Sequence, residues 1–145
     1  MTEDQKTRQE SIDRLFTEIS CGNPAARQFC WAAYRWLHVV DDLFDRDYEV
    51  PVAHVALSLI EFTESVAANP FFQENRNFLL GVFRCGVLQW SQSEEWRTRT
   101  DPREKIAAEV IKSGYQELFW AVAGLCGGIV FQNEISTKHR EYDWT

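Results

Sequence analysis

The chain has 145 residues, 45% of them hydrophobic and 14% aromatic, and 22 Asp and Glu against 15 Lys and Arg give a net charge of −7. That length makes one domain, residues 1–145, burying about 68–70% of its unfolded surface, and so apolar a composition excludes a disordered tail. Nucleic-acid binding is excluded too, because the bases are scattered and phosphate contact needs a basic face.

Residues 1–10 are polar and mixed in charge, without the apolar core of a signal peptide. Ile12, Leu15, Phe16 and Ile19 then mark one face of a first helix, ending near Cys21-Gly22. Asn23-Pro24 is an N-cap and first-turn pair that opens a second helix reaching about Tyr48. Pro51 breaks the chain, and Val52, Val55, Leu59, Phe62 and Val66 trace a third helix closed by Asn69-Pro70. A fourth is expected from about Phe71 to Arg97. Asp101-Pro102 caps a fifth, with Ile106, Val110, Leu118, Ala121, Val122 and Leu125 on its apolar face. Gly124, Gly127 and Gly128 bend or interrupt it before it resumes to about Tyr142. The expected fold is therefore a single all-α bundle of about five to six helices.

The least charged stretch, Leu118 to Asn133, is too short and glycine-rich for a membrane span. Cys21, Cys30, Cys85 and Cys126 lack zinc-site spacing, read as free and mostly buried thiols, and point to a reducing cytoplasm.

The second helix ends in His38-Val39-Val40-Asp41-Asp42-Leu43-Phe44-Asp45. At helical pitch Asp45 lies about 40° from Asp41 and about 60° from Asp42, so three carboxylates share one edge. They stand at a helix C-terminus, where the macrodipole disfavours acids. A divalent cation such as Mg²⁺ offsets both penalties, especially with substrate phosphates as co-ligands; a solvated acidic helix end explains the cluster as readily. Cys30, Tyr34, Leu37 and His38 continue that side downward as an apolar and aromatic face. Asn133, Thr137 and Glu141, at i, i+4 and i+8, place amide, hydroxyl and carboxylate oxygens on one edge of the last helix, with Phe119, Val122, Cys126 and Ile129 on the same side before them.

The two elements together resemble those of the class I terpene synthases, an aspartate-rich DDxxD and an NSE element. Asp41-Asp42-Leu43-Phe44-Asp45 matches the first, and Asn133-Glu134-Ile135-Ser136-Thr137-Lys138-His139-Arg140-Glu141 matches the second at its three ligand positions, with Glu134 in place of the usual Asp. The resemblance implies an isoprenoid-synthase-like fold in which Asp41 and Asp45, with Asp42 beside them, and Asn133, Thr137 and Glu141 hold Mg²⁺ ions. Arg84 and Arg140 would contact the diphosphate. It implies binding of a prenyl diphosphate, or another diphosphate, and its ionisation by charge neutralisation on the leaving group. Tyr34, Trp31, Phe119 and Phe131 are candidate walls for the resulting cation.

Members of that family are more than twice as long, so the similarity covers the motif-bearing helices only. A minimal enzyme, a homodimer whose partner closes the cavity, and a diphosphate-binding relative all remain open. Two other readings stand beside it. Glu61-Phe62-Thr63-Glu64 with Asp41, Asp42 and Asp45 could serve an all-α Mg²⁺-dependent nucleotide pyrophosphohydrolase. A non-enzymatic helical binding or assembly protein could use Trp31, Trp36, Trp90 and Trp96 as a seam.

Overall fold

The computed structural model describes residues 1–45 and 49–140. The regular elements among them are all helical: α1 (Glu3–Ile19), α2 (Pro24–Asp45), α3 (Val52–Ala68), α4 (Pro70–Glu74), α5 (Arg76–Trp96), α6 (Pro102–Lys112), a 3-10 turn (Ser113–Gln116) and α7 (Glu117–His139). The all-α bundle expected from apolar spacing is the fold observed.

Three helices start where their caps dictate. The side-chain oxygen of Asn23 accepts from the N–H groups of Ala25 and Ala26, that of Asn69 from Phe72, and that of Asp101 from Arg103. Each cap is followed by a proline whose missing N–H costs the first turn nothing. α1 begins well before its apolar stripe, because Thr2 and Gln5 close a reciprocal capping box. The helix expected from Phe71 to Arg97 is broken at Asn75, where φ is −112° and the side chain donates to the Phe71 carbonyl. The helix ends expected at Tyr48 and Tyr142 lie outside the described residues.

The largest departure is in α7. Gly128 adopts φ 87° and ψ 175°, a conformation only glycine takes without strain, and the helix folds back there. Arg140 donates to Glu117 across 23 residues, and a Cβ added to Gly124 would collide with Gln132. Those contacts require two antiparallel arms, residues 117–127 and 129–139. The expected bend is thus a reversal, and the side shared by Phe119, Val122 and Cys126 does not continue to Ile129, which is 79% exposed.

The first arm is the axis of the core. Leu118, Phe119, Trp120, Ala121, Val122 and Ala123 are all buried, as for a helix covered on every side. Phe16 of α1 stacks on Phe119 at 5.3 Å and meets Trp31 and Tyr34 of α2 edge-on at 5.2 and 5.8 Å. The second arm buries Ile135 and Ser136, with Lys138 and His139 reaching Glu18 of α1.

By length and composition the run Pro102–His139 qualifies as a membrane-crossing candidate. It is not one rod, however. The 3-10 turn and the reversal divide it, leaving arms of about 16 Å against a hydrocarbon core of about 30 Å.

The periphery is less well covered. No residue of α3 is buried, and Leu57 and Ile60 are more than half exposed. Ile106 and Val110 are each 67% exposed instead of sharing the buried face of Leu118 and Val122, because the tighter 3-10 turn between them breaks the helical phase. Of the four thiols, only Cys30 is fully buried.

Replacing Gly128 with Ala forces a Cβ into that backbone conformation. We expect Gly128→Ala to destabilise the fold by about 1–3 kcal/mol, read as a lowered midpoint in urea unfolding. An unchanged midpoint would mean that the reversal does not depend on this backbone geometry.

Candidate functional site

The acidic end of α2 sits over a small aromatic cleft. The wall nearest it is set by a close helix approach: Gly86 of α5 lies against the 3-10 turn, where a Cβ would come within 2.9 Å of the Gly114 carbonyl and 3.0 Å of the Tyr115 Cα. With no side chain in the way, Tyr115 packs 6.0 Å from Trp90, and Trp90 packs 5.2 Å from Phe44 near the end of α2. Tyr34, Leu37, His38, Asp41 and Phe119 complete the cleft. His38 stacks on Tyr34 at 5.8 Å. The free space inside is about 20 Å³, room for a single water molecule.

Among the described residues Asp41 is the one carboxylate drawn into this wall, 8% exposed, while Asp42 and Asp45 are half-buried. Burial pushes its carboxyl up to about 6, and the charge of Asp45 adds to the rise. A hydrogen bond with Asp45 acts in the same direction, while the charges of Lys112 and His38 oppose the rise. Trp90 in the cleft wall has a buried indole N–H with no acceptor among the described residues. Lys112 was not singled out by sequence, and Trp90 only as a candidate seam residue. A lone Lys at the end of an amphipathic helix and a Trp at helical spacing carry no local signal of a site.

The other expected site residues are dispersed. Asn133 and Thr137 are exposed on the second arm of α7 and are not among the walls of the Asp41 cleft, and Glu141 lies outside the described residues. Arg140, on the same edge as Asn133 and Thr137 by helical phase, bonds to Glu117. That contact returns the end of the second arm to within two residues of Phe119 in the cleft wall. Arg84 is exposed on α5 and pairs with no acid among the described residues, and Glu61 approaches Arg35 at 3.9 Å. Tyr34 and Phe119 face the cleft as expected of walls, whereas Trp31 and Phe131 do not line it. No group of three or more His, Cys, Asp or Glu side chains able to hold a metal occurs among the described residues.

A second, larger cleft of about 270 Å³ opens on the other side of Tyr34 and His38, between α2 and α3. Arg35, His54 and Glu61 supply its charged rim, and Trp36 stacked on Phe62 at 5.8 Å forms its floor.

No protein-family model, curated protein or solved structure matches the chain.

The raised carboxyl of Asp41 has a signed consequence. Its folded-state value lies above the unfolded 3.8, so its contribution is fully present below about pH 3.8 and is lost as pH rises through about 6. Asp41→Asn should therefore stabilise the protein above pH 6, on the order of 1 kcal/mol after allowance for solvent screening, and give no gain below about pH 4. Thermal melts of both proteins from pH 3 to pH 8 check this. A difference independent of pH would mean that Asp41 is not held in the protonated form.

Proposed function

We propose that the chain binds a phosphate-bearing small molecule through Mg²⁺ at the acidic end of α2. The observation that carries this reading is the hydrogen-bonded Asp41–Asp45 pair at the rim of the cleft, where burial lets Asp41 hold its proton and Lys112 stands within charge range. A divalent cation replaces that proton and removes the carboxylate repulsion, and a phosphate then satisfies the remaining charge of the metal and of Lys112. The resemblance to class I terpene synthases narrows the ligand to a prenyl diphosphate. Its support here is the return of the second arm through Arg140, which brings the end of the NSE-like element back to the start of α7. A cleft with room for one water admits no prenyl chain, so the tail would lie in the 270 Å³ cleft between α2 and α3. The reading stops at binding and includes no ionisation step. The pyrophosphohydrolase alternative gains nothing, since Glu61 faces Arg35 and Glu64 is exposed.

We expect Mg²⁺ with inorganic pyrophosphate or farnesyl diphosphate to raise the melting temperature, more strongly at pH 7.5 than at pH 5. At a hundredfold excess over Kd the gain corresponds to about 2.7 kcal/mol. Asp41→Asn and Asp45→Asn should each abolish the shift. No shift at either pH, with metal and ligand in millimolar excess, sinks the proposal.

A second reading, helical assembly as a homodimer, has its own support on α5. Phe78, Gly81, Cys85 and Leu88 form an exposed stripe at 3-4-3 spacing, with Phe78 54% and Leu88 50% exposed and open space above Gly81. The order large, small, small, large is self-complementary. In an antiparallel pair Phe78 meets the partner's Leu88 while Gly81 meets the partner's Cys85, as a two-fold interface requires. The tryptophans expected to form a seam are otherwise engaged, Trp90 in the core and Trp36 against Phe62. Light scattering after gel filtration should give a mass near twice 16.9 kDa, reduced to the monomer value by Leu88→Glu. A wild-type monomer at 100 µM removes this reading.

A further inference from the structure

Three of the four thiols stand in a row where the turn between α1 and α2 meets the tip of the α7 hairpin. Cys21 occupies that turn with φ 49°, an uncommon backbone state for a side-chain-bearing residue, and is exposed. Its Sγ lies against Gly127, where a Cβ would come within 3.0 Å of it. Cys126, the next residue back along the hairpin, lines one cleft together with Cys21. Behind them Cys30 of α2 is fully buried. Burial pushes the Cys126 thiol up to about 11, and Cys21 adds to the rise; burial and then Cys126 raise Cys30 further still. Each thiol therefore senses the next, in the order Cys21, Cys126, Cys30. Cys85 is exposed on α5, outside this row.

We propose that Cys21 and Cys126 form a reversible disulfide that latches the α1–α2 turn to the tip of the α7 hairpin, with a hydroperoxide as oxidant. The exposed Cys21 thiolate attacks the peroxide: an S–O bond forms, the O–O bond breaks, and with hydrogen peroxide the leaving oxygen departs as water. Cys126, deprotonated as it attacks, then forms the S–S bond on the Cys21 sulfur, and the S–O bond breaks to release a second water. Two thiols are oxidised by two electrons and one peroxide is reduced. A dithiol reverses the latch by exchange at the exposed Cys21 sulfur, leaving as its own disulfide. The division of labour follows from position. Of the three thiols in the row Cys21 is the exposed one, and Cys126, partly covered, holds its proton too tightly to react first. Cys30 has no access to solvent.

The test uses the full chain carrying Cys85→Ser, which excludes cross-links between copies through α5. Hydrogen peroxide treatment, quenching and unfolding precede thiol titration, intact mass measurement and peptide mapping. The expected result is a fall from three free thiols to one, a loss of 2 Da, a single linked peptide pair containing Cys21 and Cys126, and a melting temperature that rises on oxidation and returns with dithiothreitol. Adding Cys30→Ser should leave the linkage intact, and adding Cys21→Ser should abolish it while the circular dichroism spectrum is unchanged. Linkage of Cys126 to Cys30, linkage between chains, or a gain of 16 to 48 Da on Cys21 with no linked peptide would each overturn the proposal. The Cys21→Ser arm keeps the test decisive even where Cys126→Ser fails to fold.

Discussion

The arrangement of this protein depends on one backbone conformation, that of Gly128. With φ 87° and ψ 175° it turns a 23-residue helical run into two antiparallel arms. The first arm can then be apolar on every side, because α1, α2 and α5 surround it and the second arm folds back along it. The same reversal brings Arg140 to Glu117 and places Cys126 beside the α1–α2 turn. A straight helix would have carried Asn133 and Thr137 more than a full turn beyond the core.

Charge at the end of α2 is organised against ordinary folding preference. Three carboxylates stand where the helix dipole is negative, and no basic residue lies in the last described turn. The fold answers by burying Asp41, whose carboxyl is hydrogen-bonded to Asp45, with Lys112 brought in from α6. The close approach at Gly86 makes this possible, because it presses the 3-10 turn and Trp90 against the cleft. The outcome is a carboxyl that holds its proton up to about pH 6.

The apolar surface follows a similar division. The first arm and α1 bury their large side chains, whereas α3 and the outer face of α5 leave theirs exposed.

The all-helical character and the starts marked by Asn23-Pro24, Asn69-Pro70 and Asp101-Pro102 were legible in the sequence, since caps act within three residues and apolar spacing reports local phase, whereas the breaks at Asn75 and at the 3-10 turn were not. The three aspartates of α2 were legible as one edge for the same reason, and so was the pairing of Tyr34 with their side of the helix. What remained for the tertiary structure depended on contacts between residues far apart in the chain. Whether the glycine run bends or reverses is decided by what covers each arm, so the shared face drawn through Phe119 and Ile129 did not survive. Which of Asp41, Asp42 and Asp45 is buried depends on Trp90, Tyr115 and Lys112, from elements more than forty residues away. Local sequence determined the helices and the residues each one presents, because those interactions close within a turn or two. Only packing decided which of those residues meet, because burial and electrostatic coupling depend on distance in space and not along the chain.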